Sequence, residues 1–340
     1  MKILNLLKIT AITTLAISLQ ASCIDNDEYD DSPEGNFEAL WNIIDSHYCF
    51  FSYKAEQYGL DWDYIHSQYA QRISSSMTSS QLFEVLADML AELKDGHVNL
   101  SYAADFSRYW SWKEDWPTNF SDTLQRIYLG TDYKIASSLY YTILDDNIGY
   151  VYYESFSDAI GEGNLDDVLL NLMFCQGLIL DIRNNEGGYL TNAQKLAARF
   201  TDESTLVGYM AHKTGTGHDD FSELEEQWIE PSSNIRWHKN VCLLTNRSVY
   251  SAANEFVKYM KEFPIVTVVG DSTGGGAGLP FSNSLPNGWY VRFSACPMYD
   301  KNGSLTEFGI APDVNSSLSD DDFIKGKDTI IETARQLLAN

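Results

Sequence analysis

This 340-residue sequence predicts an α/β layer fold preceded by a small helical amino-terminal domain, and three observations carry that expectation. From Ile148 onward, short apolar runs alternate with helix-period segments, the texture of strands and helices taken in turn. Ahead of them, apolar residues recur at helical spacing. Glycine-rich and turn-rich stretches at residues 214–220 and 274–278 separate the later elements as loops.

In chain order, Phe37, Leu40, Trp41 and Ile44 line one helix face. Leu82, Phe83, Leu86, Met89, Leu90 and Leu93 line another, entered through a capping-box pattern from Thr78 to Gln81 and stopped by Lys94, Asp95 and Gly96. These assign residues 36–110 to the helical domain and residues 111–146 to a connecting segment. Strands are expected at residues 148–153, 177–182, 241–245 and 265–270, with helices at 190–200 and 252–262, all within a second domain over residues 147–318. A last helix falls within residues 319–340, near 322–338.

The chain starts with Lys2 and Lys8 around an apolar run over residues 9–19, the layout of a secretory signal and too short to span a bilayer. That run ends in Leu19-Gln20-Ala21-Ser22-Cys23, which resembles the lipobox of bacterial lipoproteins, with Gln20 where an apolar residue is usual. The resemblance implies removal of residues 1–22, acylation of Cys23 and an exported protein anchored at the outer membrane, on its periplasmic or cell-surface side. A plain cleaved signal is the alternative. Residues 23–35 are acidic and nearly free of core formers, and read as a tether. The net charge is −25, and losing Lys2 and Lys8 with the signal makes the remainder more acidic still. Such a surface disfavours nucleic acid and leaves membrane attachment to Cys23 alone. Cys49, Cys175, Cys242 and Cys296 lie in apolar contexts and read as buried free thiols; no CxxC points to a zinc site.

Two segments carry the chemistry: Leu180-Asp181-Ile182-Arg183-Asn184-Asn185-Glu186-Gly187-Gly188, and Leu244-Thr245-Asn246-Arg247-Ser248-Val249-Tyr250-Ser251-Ala252. Each reads as a buried strand running into a polar turn and then a helix. In an open α/β sheet, ligands bind outside the carboxyl ends of the strands. A serine opening a helix has free backbone N–H groups beside it for a developing oxyanion. Gly187 and Gly188 let a neighbouring backbone approach closely.

With these residues the sequence resembles the tail-specific (C-terminal processing) serine protease family, which shows Asp-x-Arg-x-Asn-x-Gly-Gly after one strand and Ser-Ala-x-Glu opening a later helix. The first motif is complete from Asp181 to Gly188; in the second, Asn254 stands at the glutamate position and Glu255 follows it. The resemblance implies a ClpP/crotonase-like domain of stacked βα units, and Ser251 as the nucleophile of an acyl-enzyme mechanism on peptide or protein substrates. It further implies an oxyanion hole from Ala252 with Gly187 or Gly188, and neither a metal nor an organic cofactor. One branch of the family draws its base from a lysine in a glycine-rich loop, but that position is Gly276 here. The tricorn-like branch uses a histidine in a short Asp-Gly-His or Asp-Ser-His motif and a late glutamate. Lys94-Asp95-Gly96-His97 and Glu307 match both in the expected order. His97 is thereby implied as the general base, with Glu307 polarising it and raising its basicity, so that activity climbs between about pH 6 and 8. Residues 99–147 are too few for the PDZ domain that many relatives insert there.

Other residues carry blander readings. His218 is the one rival base, whereas His47, His66, His212 and His238 read as surface or satisfied core histidines. Lys258 and Lys261 lie two or more helical turns from Ser251 and should not serve it. Asp181 and Arg183 read as a supporting ion pair beneath the cleft, and the aromatics Tyr102, Phe106, Tyr109, Trp110, Trp112 and Trp116 as core. The second functional reading is a catalytically weak or inactive ligand- or peptide-binding protein on the same scaffold. The sequence does not specify an oligomeric state.

Overall fold

The computed structural model describes residues 29–339, so the signal segment, Cys23 and the first part of the tether lie outside the described residues. Helices α1 (Pro33–His47), α2 (Phe51–Tyr58), α3 (Trp62–Ala70) and α4 (Ser79–Ala91) come first. Strands β1 (Asn99–Tyr102) and β2 (Asp105–Arg108), helices α5 (Ser111–Glu114) and α6 (Asp122–Leu129), and strands β3 (Lys134–Ala136) and β4 (Leu139–Ile143) follow. The next stretch holds β5 (Ile148–Tyr153), α7 (Glu162–Leu172), β6 (Gly177–Asp181), α8 (Leu190–Ala197), β7 (Thr205–Met210) and β8 (Glu225–Ile229). Last come β9 (Val241–Thr245), α9 (Ala252–Met260), β10 (Val266–Gly270), β11 (Gly278–Ser284), β12 (Tyr290–Tyr299), β13 (Val314–Asn315), α10 (Asp320–Phe323) and α11 (Thr329–Leu338).

A seven-stranded sheet in the order β13-β10-β9-β6-β5-β4-β3 forms one layer. Its strands from β13 to β5 are parallel, and β4 and β3 extend it antiparallel. Every residue of β5, β6 and β9 is buried, as expected where helices cover both faces of a parallel sheet. Alternate side chains serve the two covers. Leu178 and Leu180 face α7, α8 and α9, while Ile179 between them packs toward α6 and α11. The second sheet runs β2-β1-β12-β7-β8 with β11 on β12, and α1 to α4 bury their apolar faces against Leu100, Val291 and Phe293 of it.

Four sequence expectations change. The amino-terminal region is not purely helical, because β1 and β2 lie in it, and β1 pairs with the late strand β12. Residue 110 is therefore no packing boundary, and β3 and β4 of the expected connector belong to the main sheet. Helix α1 begins inside the expected tether, where Pro33 starts the helix and Ser32 Oγ accepts from Gly35 N. The last helix is two, divided at Gly326 (φ +71°) and restarted by the Asp328 cap. All four described cysteines are free and buried. No helix among the described residues is long and apolar enough to cross a membrane.

Candidate active site

Strands β6 and β9 are neighbours, so the turns leaving their carboxyl ends lie side by side. Asn185 organises the first turn: its Oδ1 accepts from Gly187 N (3.0 Å) and Phe156 N (3.3 Å), and its carbonyl accepts from Tyr250 N (3.2 Å). Asn184 and Asn246 bond each other across the two turns. Gly187 lies so near the second turn that a Cβ there would sit 2.8 Å from Ser251 Cβ and 2.9 Å from Ala252 N. Ser251 itself has φ +57° and ψ −124° at the start of α9, held by Ser251 N donating to Gly275 O (2.9 Å). A non-glycine residue at such angles stores on the order of 1–3 kcal/mol. Ser251→Gly is therefore expected to be more stable than Ser251→Ala by about 1 kcal/mol, after allowing for glycine's looser unfolded chain. Equal urea midpoints for the two variants would show Ser251 to be unstrained.

His97 reaches the same point from 154 residues away, with its Nε2 2.9 Å from Ser251 Oγ. It sits between the end of α4 and the start of β1, so the β1–β12 pairing delivers it. Its backbone N–H donates to Asp95 Oδ1 (2.7 Å), and its ring meets the Tyr250 ring edge-on at 5.0 Å. Its Nδ1 is buried and meets no acceptor among the described residues. Burial lowers the His97 pKa to about 4; Asp95 opposes that shift, while Arg292, Arg108 and Lys54 add to it. The expectation that Glu307 raises the basicity of His97 is thus corrected. Burial dominates, and Glu307 spends its carboxylate elsewhere: Oε2 accepts from Ala277 N (2.9 Å) and Oε1 faces Lys54 Nζ at 3.3 Å.

Lys54 is the residue that the sequence reading missed. It is fully buried, donates to Leu93 O (2.8 Å) and Lys94 O (3.2 Å), and lies 3.9 Å from Asp95 Oδ2. Tyr48 and Ser294 hydroxyls, each at 2.9 Å, complete the shell of Asp95 Oδ2. Burial pushes the Asp95 carboxyl up, but Lys54, His97 and these donors outweigh it and hold it below the ordinary range. Glu307 moves upward, from burial first and the Asp95 charge second. The one sequence signal for Lys54 is its place on the apolar face of α2, one turn after Phe50 and Phe51.

The glycines explain two departures from the family pattern. A Cβ on Gly276 (φ +77°) would meet the Tyr250 ring at 2.4 Å, so the space a lysine would need is filled. A Cβ on Gly96 would meet Trp112 Nε1 at 2.6 Å and Tyr250 Oη at 2.9 Å, which leaves no room for a serine. Asn254 ties the first turn of α9 to Thr306 and Thr273. His218 is elsewhere, its Nε2 2.8 Å from Asp45 and its ring stacked on Phe51. Lys258 is buried against Glu255 (2.5 Å) and Tyr299 O, while Lys261 bonds Asp313 at the surface. Asp181 and Arg183 form a buried ion pair, enlarged by Asp328 at 2.9 Å from Arg183 Nη1. Of the aromatic group, Trp112 is buried and Tyr102 packs against the core on Phe83 and Trp289, whereas Phe106 and Trp116 are exposed and Tyr109 and Trp110 half-buried; Phe106 of β2 lines the cleft rather than sitting beneath it.

The cleft at this point, about 320 Å³, is lined by His97, Ser251, Gly187, Gly188, Arg108 and Arg292 among others. The family description "Peptidase family S41" matches residues 147–316, half the chain, and "Tricorn protease C1 domain" matches residues 29–91. A solved Parabacteroides merdae protein assigned as a peptidase is 50% identical, with a TM-score of 0.87 over 92% of this chain and 98% of that one. Mature CPAF shares the fold at 12% identity, with a TM-score of 0.70 over 90% of this chain and 96% of its own. The carboxy-terminal processing protease CtpA of Bacillus subtilis is 24% identical over 187 residues, 54% of this chain and 38% of that protein. The chain thus spans well under half the length of that curated relative. With one family description over its βα units, a second over its first helices and a half-identical relative along nearly its whole length, the chain belongs to peptidase family S41.

Proposed function

We propose that the protein is a serine peptidase in which Ser251 attacks the scissile carbonyl and His97 is the general base. The observation that carries this reading is the 2.9 Å contact between His97 Nε2 and Ser251 Oγ, both of which line the cleft. A serine hydroxyl is a weak nucleophile until a neighbouring base accepts its proton, and Nε2 is within reach to do so. That role requires the neutral ring, which a depressed pKa favours, in the tautomer that leaves Nε2 free to accept. The Asp95 charge, held next to the His97 backbone, offsets part of the cost when the imidazolium forms.

The developing oxyanion has donors on both sides. Ala252 N–H stands at the first position of α9, where a helix leaves its amides free. Gly187 N–H is occupied by Asn185 Oδ1, so the second donor in this reading is Gly188 N–H. His97 then passes its proton to the leaving amine, and a water deprotonated by the same ring releases the acyl group from Ser251. Lys54 and Glu307 act as positioning residues, since they fix Asp95 and the Ala277 backbone and do not touch the reacting atoms.

Incubation with a fluorophosphonate probe and mass-spectrometric mapping of the adduct tests the assignment. Ser251 is expected to carry the label, and a Ser251→Ala variant none. A label on another serine, or one that persists in the variant, sinks it.

A further inference from the structure

The cleft lining carries an arrangement that the proton relay does not use. Asn99 of β1 is the direct partner of both Arg108 on β2 and Arg292 on β12. Directly opposed residues in antiparallel strands project to the same face, so Arg108, Asn99 and Arg292 form one rung, and all three line the cleft beside Ser251. Two strand spacings separate the arginine backbones, roughly 10 Å. The residue between them is neutral.

The two cations are not equally matched. Arg108 donates through Nε to Gly96 O (2.5 Å) and lies 3.7 Å from Glu186, whose carboxylate is also paired with Lys113. Arg292 is solvent-exposed and makes no side-chain hydrogen bond or ion pair among the described residues. In a chain of net charge −25, an unmatched arginine one rung-width from a second arginine is a conspicuous expense of charge. The pair also works against the proposed base, since both arginines lower the pKa of His97. A guanidinium fork matches a carboxylate with two parallel N–H bonds, and a bound carboxylate would relieve both penalties.

We propose that Arg292, with Arg108 and Asn99 beside it, is a substrate subsite that binds a peptide carboxylate next to Ser251. This rests on the peptidase reading and specifies its substrate class as peptides bearing an anion near the bond cut. The carboxylate is either an aspartate or glutamate side chain or the free end of the chain.

Binding separates these cases without relying on turnover. Rhodamine-labelled decapeptides built from Gly, Ala, Ser and Leu are titrated into Ser251→Ala protein and followed by fluorescence anisotropy. One peptide is amidated, one has a free carboxyl end, and an amidated set carries a single glutamate walked through every position. At least one anionic peptide is expected to bind about tenfold or more tightly than the amidated neutral one, the scale of a hydrogen-bonded charge pair. Preference for the free end identifies the terminal carboxylate, and preference for a glutamate position identifies a side chain. Arg292→Gln should collapse the preference, Arg292→Glu should reverse it, and Arg292→Lys should retain part of it. Equal affinity for all peptides, or a preference that survives Arg292→Gln and Arg292→Glu, overturns the proposal. Because Ser251 labelling is read separately in the unmodified protein, loss of the subsite leaves the nucleophile assignment standing.

Discussion

Removing the imidazole in His97→Ala is expected to slow fluorophosphonate labelling of Ser251 by about two orders of magnitude or more, the scale of losing a general base. Lys261→Ala and His218→Ala should label at the unmodified rate, since Lys261 bonds Asp313 and His218 is committed to Asp45. Lys258→Ala is a poorer control because that ammonium is buried against Glu255 and its loss would strand the carboxylate. The pH dependence sharpens the test. A protonated ring cannot accept the serine proton, and burial lowers the His97 pKa to about 4, so the ring stays neutral down to low pH. Labelling should therefore be flat from about pH 5 upward and fall only as pH approaches 4, far below the ordinary imidazole value of about 6.5. An acid limb centred near the ordinary value would show that burial does not depress the ring, and a loss in His218→Ala with His97→Ala unaffected would overturn the assignment.

The second large effect is on stability. Lys54→Met removes the one cation between Asp95 and Glu307, both buried, and is expected to destabilise the fold by about 3–5 kcal/mol at neutral pH. The sign with pH follows from which carboxylates are charged. Asp95 is held below its ordinary value with Lys54 present, so its contribution is present above the unfolded pKa and lost as pH falls through the folded one. Without Lys54 the folded pKa of Asp95 rises, and protonation rescues the variant earlier. Urea unfolding should show the gap between the two proteins narrowing as pH is lowered from 8 to 4. A gap that is constant with pH would mean that Lys54 contributes by packing rather than by charge.

The parts of this protein that were legible in the sequence are those set by short stretches of chain. A buried strand, a polar turn and a helix fall within a dozen residues around Gly187 and again around Ser251, and local rules for burial, turns and caps suffice to read them. The histidine beside Asp95 and Gly96 was legible through its short motif, and the structure puts it 2.9 Å from Ser251. The helix of α4 was also local, down to its Thr78–Gln81 capping box.

What the tertiary structure alone decided is non-local. Strand β1 follows four helices and carries no alternating pattern long enough to announce itself, yet its pairing with β12 delivers His97, aligns Arg108 with Arg292 and erases the expected domain boundary. Register between strands so far apart depends on which faces are buried in the whole fold, and no window of sequence contains that information. The partner of Glu307 was hidden for the same reason. Lys54 looks like a solvated lysine until α2 packs against the end of α4, and only there does a buried cation find Asp95 and Glu307. The basicity of His97 was misjudged because it depends on desolvation: sequence alone determined which ionisable groups are present, and packing determined how much water each retains.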